Sequence, residues 1–368
     1  MSIKSLPTRT LGKNGPVVSA IGLGAMGFGA FYGTSDEKQN LDTLTYAADR
    51  GMTFWDTSDI YGSSEFSLLV ALINDNDLMN QGEKLIGKWF TQTGRRSEIF
   101  LASKFGAMDL SEGAANKYRA NSKPAYIRSR IENSLKDLET DYIDLYYQHR
   151  VDPEVPIEVV LETLRPYVER GTIKWIGLSE TSITTLKRAK AVPGIGEKVI
   201  AAQMEFSPFE LHLEKDGFVD VANELGIAIV AYSPLGRGLV TGRFRSPKDF
   251  GEGDFRGMLP RFSEENFPKN LKVVDELKNI ADKHNATTSQ ITLAWILAEH
   301  ANFIPIPGIR SVERLEENAG GAELSLSPED VKAIRTVVEA AEVAGTRYPE
   351  AVMPKGDCIE LAEWKGEN

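Results

Sequence analysis

Short apolar runs separated by stretches of helical pattern recur along the chain, and this alternation constrains the fold more than any other feature. The runs are Val18–Leu23, Thr53–Thr57, Ile99–Ser103, Tyr142–Gln148, Ile173–Leu178, Val199–Met204, Ile227–Tyr232 and Phe303–Ile306. Most are rich in β-branched or aromatic residues, as strands covered on both faces should be. Helical patterns lie between them, among them Pro124–Leu138, Pro156–Arg170, Leu271–His284 and Ser289–Glu299. Eight such repeats imply an α/β fold closed into a parallel (β/α)8 TIM barrel. The segment Thr8–Val17, with Asn14-Gly15-Pro16, reads as an N-terminal β-hairpin closing the barrel's N-terminal end. The runner-up is a Rossmann domain, because Gly22-Leu23-Gly24-Ala25-Met26-Gly27 fits GxGxxG after a strand. Its continuation, FGAFYGTS from Phe28 to Ser35, is aromatic and glycine-rich where that fold needs a helix to begin.

Composition agrees with a single soluble catalytic domain spanning 1–368, with a core over about 10–348 and a C-terminal tail over 349–368. Hydrophobic residues at 42% suffice for a sizeable core, and a net charge of -11 argues against nucleic acid as a partner. No apolar run approaches the roughly 18 residues of a membrane span, and the opening MSIKSLPTRT lacks the apolar centre of a signal peptide. Cys358 is the only cysteine, so no intrachain disulfide can form and a cytoplasmic, reducing location is the default expectation.

Polar groups stand where several of the apolar runs end. Asp56 closes one run and Tyr61 follows in FWDTSDIYG; Lys104 follows Ile99–Ala102; His149 follows Tyr142–Tyr147. In parallel α/β barrels catalytic side chains gather at the C-terminal ends of the strands, so one pocket could hold all four. A phenol with a pKa near 10 is a reluctant acid at neutral pH, and a nearby ammonium lowers that value. Lys104 could do this for Tyr61, Asp56 could keep Lys104 charged and aimed, and the imidazole of His149 could hydrogen-bond a substrate oxygen or relay the proton.

At these residues the sequence resembles the aldo-keto reductases, (β/α)8 oxidoreductases that reduce carbonyls with NADPH. The resemblance runs from about Thr10 to about Tyr348 and rests on FWDTSDIYG, LASKFG, DLYYQHR, IKWIGLSE, AAQMEFSPF, IVAYSPLGRGLVTG and IPIPGIRSVERLEEN, in that order. Through EIFLASKFG, LSPED and GTRYPE it looks most like the fungal and yeast NADP-dependent enzymes acting on aryl and other aldehydes.

The resemblance implies catalytic roles for Asp56, Tyr61, Lys104 and His149. It places Gly24, Ala25 and Met26 in the loop beside the nicotinamide, and Phe28, Phe31 and Tyr32 at the substrate mouth. Ser179 and Gln203 match residues that hold the nicotinamide carboxamide, and Tyr232 matches the ring on which the nicotinamide stacks. Ser233, Pro234, Leu235, Gly236, Arg237 and Gly238 would approach the pyrophosphate. Gly308, Ile309, Arg310, Arg314, Glu317 and Asn318 match the adenosine end. Arginines near a helix N-terminus suit a 2′-phosphate and favour NADPH over NADH. The implied partner is a small carbonyl compound.

The chain departs from the family after Tyr61. Glu65 to Gly82, EFSLLVALINDNDLMNQG, intervenes before a helix resembling Glu83–Phe90 and reads either as a surface insertion or as a translated intron. Asp59 reads equally as a solvated loop residue or a participant, Lys84 as a helix-surface residue, and His212, His284 and His300 as structural or exposed. No His, Cys and carboxylate spacing suits zinc, so no metal is expected. A second class of function stays open, because some relatives are NADPH-binding regulatory partners with little turnover.

Overall fold

The computed structural model describes residues 5–28, 36–62, 81–111, 114, 117–251, 254–350 and 353–367. Phe31, Tyr32 and all of the 65–82 segment except Gln81 and Gly82 lie outside the described residues.

A hairpin opens the chain: β1 (Thr8–Thr10) pairs antiparallel with β2 (Val17–Ser19). One sheet of eight strands follows, β3 (Leu23–Gly24), β4 (Phe54–Asp56), β5 (Phe100–Phe105), β6 (Ile143–Gln148), β7 (Ile173–Ser179), β8 (Val199–Glu205), β9 (Ala228–Tyr232) and β10 (Phe303–Ile306). Every neighbouring pair is parallel and the spatial order is the sequence order. The ring closes where the Gly22 amide donates to the Pro305 carbonyl at 2.9 Å and that of Gly24 to Pro307 at 3.0 Å. A (β/α)8 barrel results, and the Rossmann alternative falls: the GxGxxG glycines lead into a turn of 3-10 helix, Ala25–Phe28, and the strand before them is a barrel stave.

The connecting helices are α1 (Glu37–Asp49), α2 (Gln81–Thr93), α3 (Pro124–Asp137), α4 (Ile157–Glu169), α5 (Ile183–Ala191), α6 (His212–Lys215), α7 (Phe218–Glu224), α8 (Phe267–Lys283), α9 (Thr288–Glu299), α10 (Val312–Glu323) and α11 (Pro328–Glu339). Ser or Thr side chains cap several of them, Ser182 on α5, Thr287 on α9, Ser311 on α10 and Ser327 on α11, each accepting from an amide of the first turn. Among the described residues no helix is long and apolar enough to cross a membrane, and no group of His, Cys, Asp and Glu could hold a metal ion.

The expected first strand, Val18–Leu23, divides in two. Val17–Ser19 belongs to the hairpin and only Leu23–Gly24 to the barrel. Ser19 anchors the division, because its Oγ accepts the Phe54 amide at 3.1 Å while the next residue, Ala20, donates back to Pro7 at 2.8 Å. An apolar run does not record such a change of partner. The hairpin does sit across the barrel's N-terminal end, where Leu11 and Val18 join Phe54, Leu145, Ala201 and Ile304 in the interior cluster. Inside the barrel Tyr147 lies against Gly177, and a Cβ there would stand 2.3 Å from the ring, so the residue opposite the tyrosine must be glycine. A second, larger core fills the layer between strands and helices, with Trp55 and Trp89 in edge contact at 4.7 Å. Burying each such side chain contributes about 1.5–3 kcal/mol before entropy is counted.

Candidate active site

Parallel strands direct their last residues to one end, and that end carries a buried polar cluster. Asp56 is the last residue of β4, Lys104 the fifth of β5, and His149 follows β6. The Lys104 Nζ donates to Asp56 Oδ1 at 2.5 Å, to the Thr57 carbonyl at 2.7 Å and to the Tyr61 Oη at 3.2 Å. Gln203, from β8, donates to the second Asp56 oxygen at 2.7 Å. The Tyr61 and His149 rings meet edge to face with centroids 6.0 Å apart. The structure therefore brings Asp56, Tyr61, Lys104 and His149 together, and adds Gln203 to hold the carboxylate.

Burial disfavours a charged lysine, but the Asp56 carboxylate and the Tyr61 phenol outweigh it and hold the Lys104 pKa above its ordinary value. For Tyr61 burial dominates and raises the phenol, with the Lys104 ammonium opposing. Burial, then the cations Arg150 and Lys104, push His149 well below its usual range, so it is neutral at physiological pH. Its Nδ1 faces the Ser58 Oγ at 3.0 Å. That hydroxyl donates to Asp59 Oδ1 at 3.2 Å, so it links the imidazole to a buried carboxylate.

Asp59 is not solvated, as one reading of the sequence allowed. It is fully buried and paired with Arg130 of α3 at 3.0 Å. Beside it Glu83, at the start of α2, accepts from Ser103 and is pushed up to about 8 by burial and by the Asp59 carboxylate. This second polar layer under the first was invisible in the sequence, because its members are scattered over α2, α3 and the β4 loop. Lys84 is exposed; His300 pairs with Glu214 at 2.7 Å, His284 with Asp330 at 3.2 Å, and His212 is half-exposed beside Asp216.

A cleft of about 530 Å³ leads away from Asp56 and Tyr61. Its wall includes Gly24, Met26, Tyr232, Ser233, Pro234, Leu235, Arg237, Gly238, Gly308, Arg310, Arg314, Glu317 and Asn318 of the expected coenzyme residues. Ala25, Gly236 and Ile309 are buried behind that wall, and Ser179 and Gln203 are buried at the ends of their strands. Phe28, expected at a substrate mouth, is 3% exposed and packs into the layer between sheet and helices. It leaves the surface because the 3-10 turn after β3 directs the ring inward.

Backbone geometry marks the middle of the cleft. Ser233, Gly236, Arg237 and Gly238 all have positive φ, between 49° and 90°. Backbone of this handedness is one way to build a phosphate-binding concavity; here the Gly236 and Gly238 amides close the turn itself onto the Ser233 and Leu235 carbonyls at 2.8 and 3.0 Å. At the far end Ser311 caps α10, and Arg314 and Arg243 converge on one oxygen of Glu317 at 2.8 and 2.7 Å. Arg243 was missed in the sequence, although it stands next to the matched GLVTG.

The segment after α11 also reaches this end of the barrel. Arg347 grips Glu180 with two hydrogen bonds, at 2.9 and 2.5 Å, and Glu180 accepts the Tyr232 hydroxyl at 2.9 Å. The Tyr232 ring is thereby fixed at the cleft by a residue from GTRYPE. Glu180 itself has φ +51°, an uncommon conformation for a side chain of its size.

Fold and site define a barrel oxidoreductase architecture, and the comparisons agree. A sequence profile described as Aldo/keto reductase family matches residues 20–339. The chain is 46% identical over 347 residues to the aldo-keto reductase yakc [NADP(+)] of Schizosaccharomyces pombe, covering 94% of this chain and 95% of that protein. It is 43% identical over 350 residues to the aldo-keto reductase str7 of Strobilurus tenacellus, covering 93% and 95%. Among solved structures, a thermostable aldo-keto reductase in complex with the inhibitor epalrestat superposes with a TM-score of 0.68 at 28% identity, over 90% of this chain and all of that one. The chain belongs to the aldo/keto reductase family.

Proposed function

We propose that this protein reduces aldehydes and ketones to alcohols with NADPH. The observation that carries the reading is the Lys104 ammonium, which touches both Asp56 and the Tyr61 hydroxyl at the head of the cleft. The relative from Schizosaccharomyces pombe is named for NADP(+). The cleft's own features fit that coenzyme: a turn of positive-φ residues suits the pyrophosphate, Tyr232 offers a ring face for stacking, and Arg243, Arg310 and Arg314 offer guanidinium to a 2′-phosphate.

Bound reduced nicotinamide supplies a hydride to the carbonyl carbon. Tyr61 gives its hydroxyl proton to the carbonyl oxygen, and Lys104 stabilises the phenolate left behind. Asp56 and Gln203 keep the ammonium aimed at the phenol. His149 is neutral, so it acts as a hydrogen-bonding partner of the developing alkoxide and adds no charge; its Nδ1 is engaged by Ser58, which leaves Nε2 as the ring nitrogen for that purpose. Arg347, through Glu180, holds the Tyr232 ring in place.

The test is NADPH consumption by the purified chain with a panel of aryl and alkyl aldehydes. Turnover of several panel members is expected. Tight NADPH binding with no turnover of any aldehyde would overturn the reading and favour a regulatory module.

A further inference from the structure

Arg150 stands at the barrel mouth with donors to spare. It follows His149 directly, and its Nη1 donates to the His149 carbonyl at 2.8 Å and approaches the Ser179 Oγ at 3.4 Å. Among the described residues no carboxylate lies within ion-pair distance of this guanidinium, and its Nε and Nη2 carry no hydrogen bond. The nearest opportunity, Glu180, is already gripped by both amino groups of Arg347. The groups whose charge reaches Arg150 are Tyr232, Tyr348, Glu180 and Tyr61. They come from the ends of β9, β7 and β4 and from the segment after α11, so the guanidinium lies over the mouth rather than on the outer surface. Its contacts with the His149 carbonyl and the Ser179 hydroxyl place it beside those two residues at the mouth.

A part-buried guanidinium with no carboxylate in contact among the described residues keeps hydrogen-bonding capacity that a ligand anion could use; its charge is supported only at a distance, by groups that include Glu180. Other buried or part-buried arginines are ion-paired, Arg130 with Asp59, Arg256 with Asp254, Arg261 with Glu210 and Arg347 with Glu180, or, like Arg9, bonded to backbone carbonyls through both amino groups. The planar fork of Nε and Nη2 matches the two oxygens of a carboxylate.

Building on the reductase reading, we propose that Arg150 is a specificity-determining residue that binds a carboxylate on the substrate, making oxo acids with an aldehyde or ketone group the preferred class. The carbonyl carbon takes the hydride and the carbonyl oxygen the Tyr61 proton, giving the hydroxy acid; the carboxylate is unchanged and stays on Arg150. The acidic chain as a whole, with net charge -11, does not attract such an anion, so recognition rests on this local cation.

The experiment compares each acid with its own methyl ester, using the full chain and NADPH: 4-oxobutanoate against methyl 4-oxobutanoate, and 4-carboxybenzaldehyde against methyl 4-formylbenzoate. For at least one pair kcat/KM for the acid should exceed that for the ester by about tenfold or more, the scale of a charge-assisted pair. Arg150→Gln should bring this ratio towards unity, and Arg150→Lys should restore part of it. Esters reduced as well as or better than both acids by the unaltered protein would overturn the proposal while leaving the reductase reading intact. So would an unchanged ratio in Arg150→Gln accompanied by weaker NADPH binding, which would assign the arginine to the coenzyme. No reduction of acid or ester despite NADPH binding would overturn both.

Discussion

The amide of Gly82 donates to the carbonyl of Tyr61 at 2.8 Å, although twenty residues separate the two in the sequence. Tyr61, just before the departure from the family, and the start of α2 are thus held side by side. Gly82 has no room for more: a Cβ would meet the Thr57 Oγ1 at 3.0 Å and the Tyr61 Cβ at 3.2 Å. The end of the segment accordingly shifts from its expected position. Gln81 and Gly82 belong to α2, and only the residues before them are candidates for removal.

Excising residues 65–80 should therefore preserve the barrel. Gly62, Ser63 and Ser64 remain to bridge two points already in hydrogen-bond contact, and shortening a loop of this kind changes closure entropy by only about 0.6 kcal/mol per halving. Thermal stability and aldehyde reduction are expected to stay level or rise. An excised protein that is insoluble or unfolded by circular dichroism would mark the segment as part of the core. The outcome is the same whether the segment is an insertion or a translated intron.

Tyr61→Phe removes the proposed proton donor and leaves the ring in place. We expect NADPH affinity, measured by fluorescence titration, to be nearly unchanged and kcat for an aldehyde to fall by about a hundredfold or more. Turnover close to that of the unaltered protein would rule out the phenol as the acid.

Arg314 and Arg310 are proposed to hold the 2′-phosphate, and Arg243 shares Glu317 with Arg314. Replacing Arg310 and Arg314 by Ala should weaken NADPH far more than NADH, narrowing the preference by roughly 1.5–3 kcal/mol. Adding Arg243→Ala should narrow it further. Equal losses for the two coenzymes would assign the arginines to the shared part of the molecule.

Glu83 supplies a pH test of stability. Its carboxyl is pushed from an ordinary 4.5 up to about 8, first by burial and then by Asp59. Between those values the native state keeps a proton that the unfolded chain has lost, so stability falls as pH rises through the window. Glu83→Gln removes the titration. The variant should match the parent near the low end of the window and gain on it with rising pH, by at most about 1.4 kcal/mol per pH unit. Melting curves of the two proteins that stay parallel across the window would refute the assignment.

The four polar residues of the site were legible because each follows an apolar run, and a parallel strand delivers its end to the common mouth. Tyr232 and the turn after it were legible only through the family resemblance. The support around them was not. Arg347 meets Glu180 across 167 residues, and Arg130 meets Asp59 across 71. Neither partner carries a local sign of the other, which is why Asp59 reads as easily as a solvated loop residue. Phe28 misleads in the opposite sense, since an aromatic beside a glycine turn looks available to a ligand until the turn buries it.

Sequence alone determined the barrel and the chemical groups at its mouth. Strand and helix periodicity are local properties, written within a few residues of where they act. Tertiary structure alone decided which groups are paired, which are neutral and which are left without a partner. Those properties depend on through-space distance and on exclusion of water, and both are set by residues far apart in the chain. Lys104 is charged because Asp56 from the neighbouring strand touches it, and among the described residues Arg150 keeps unused donors while Glu180 is held by Arg347.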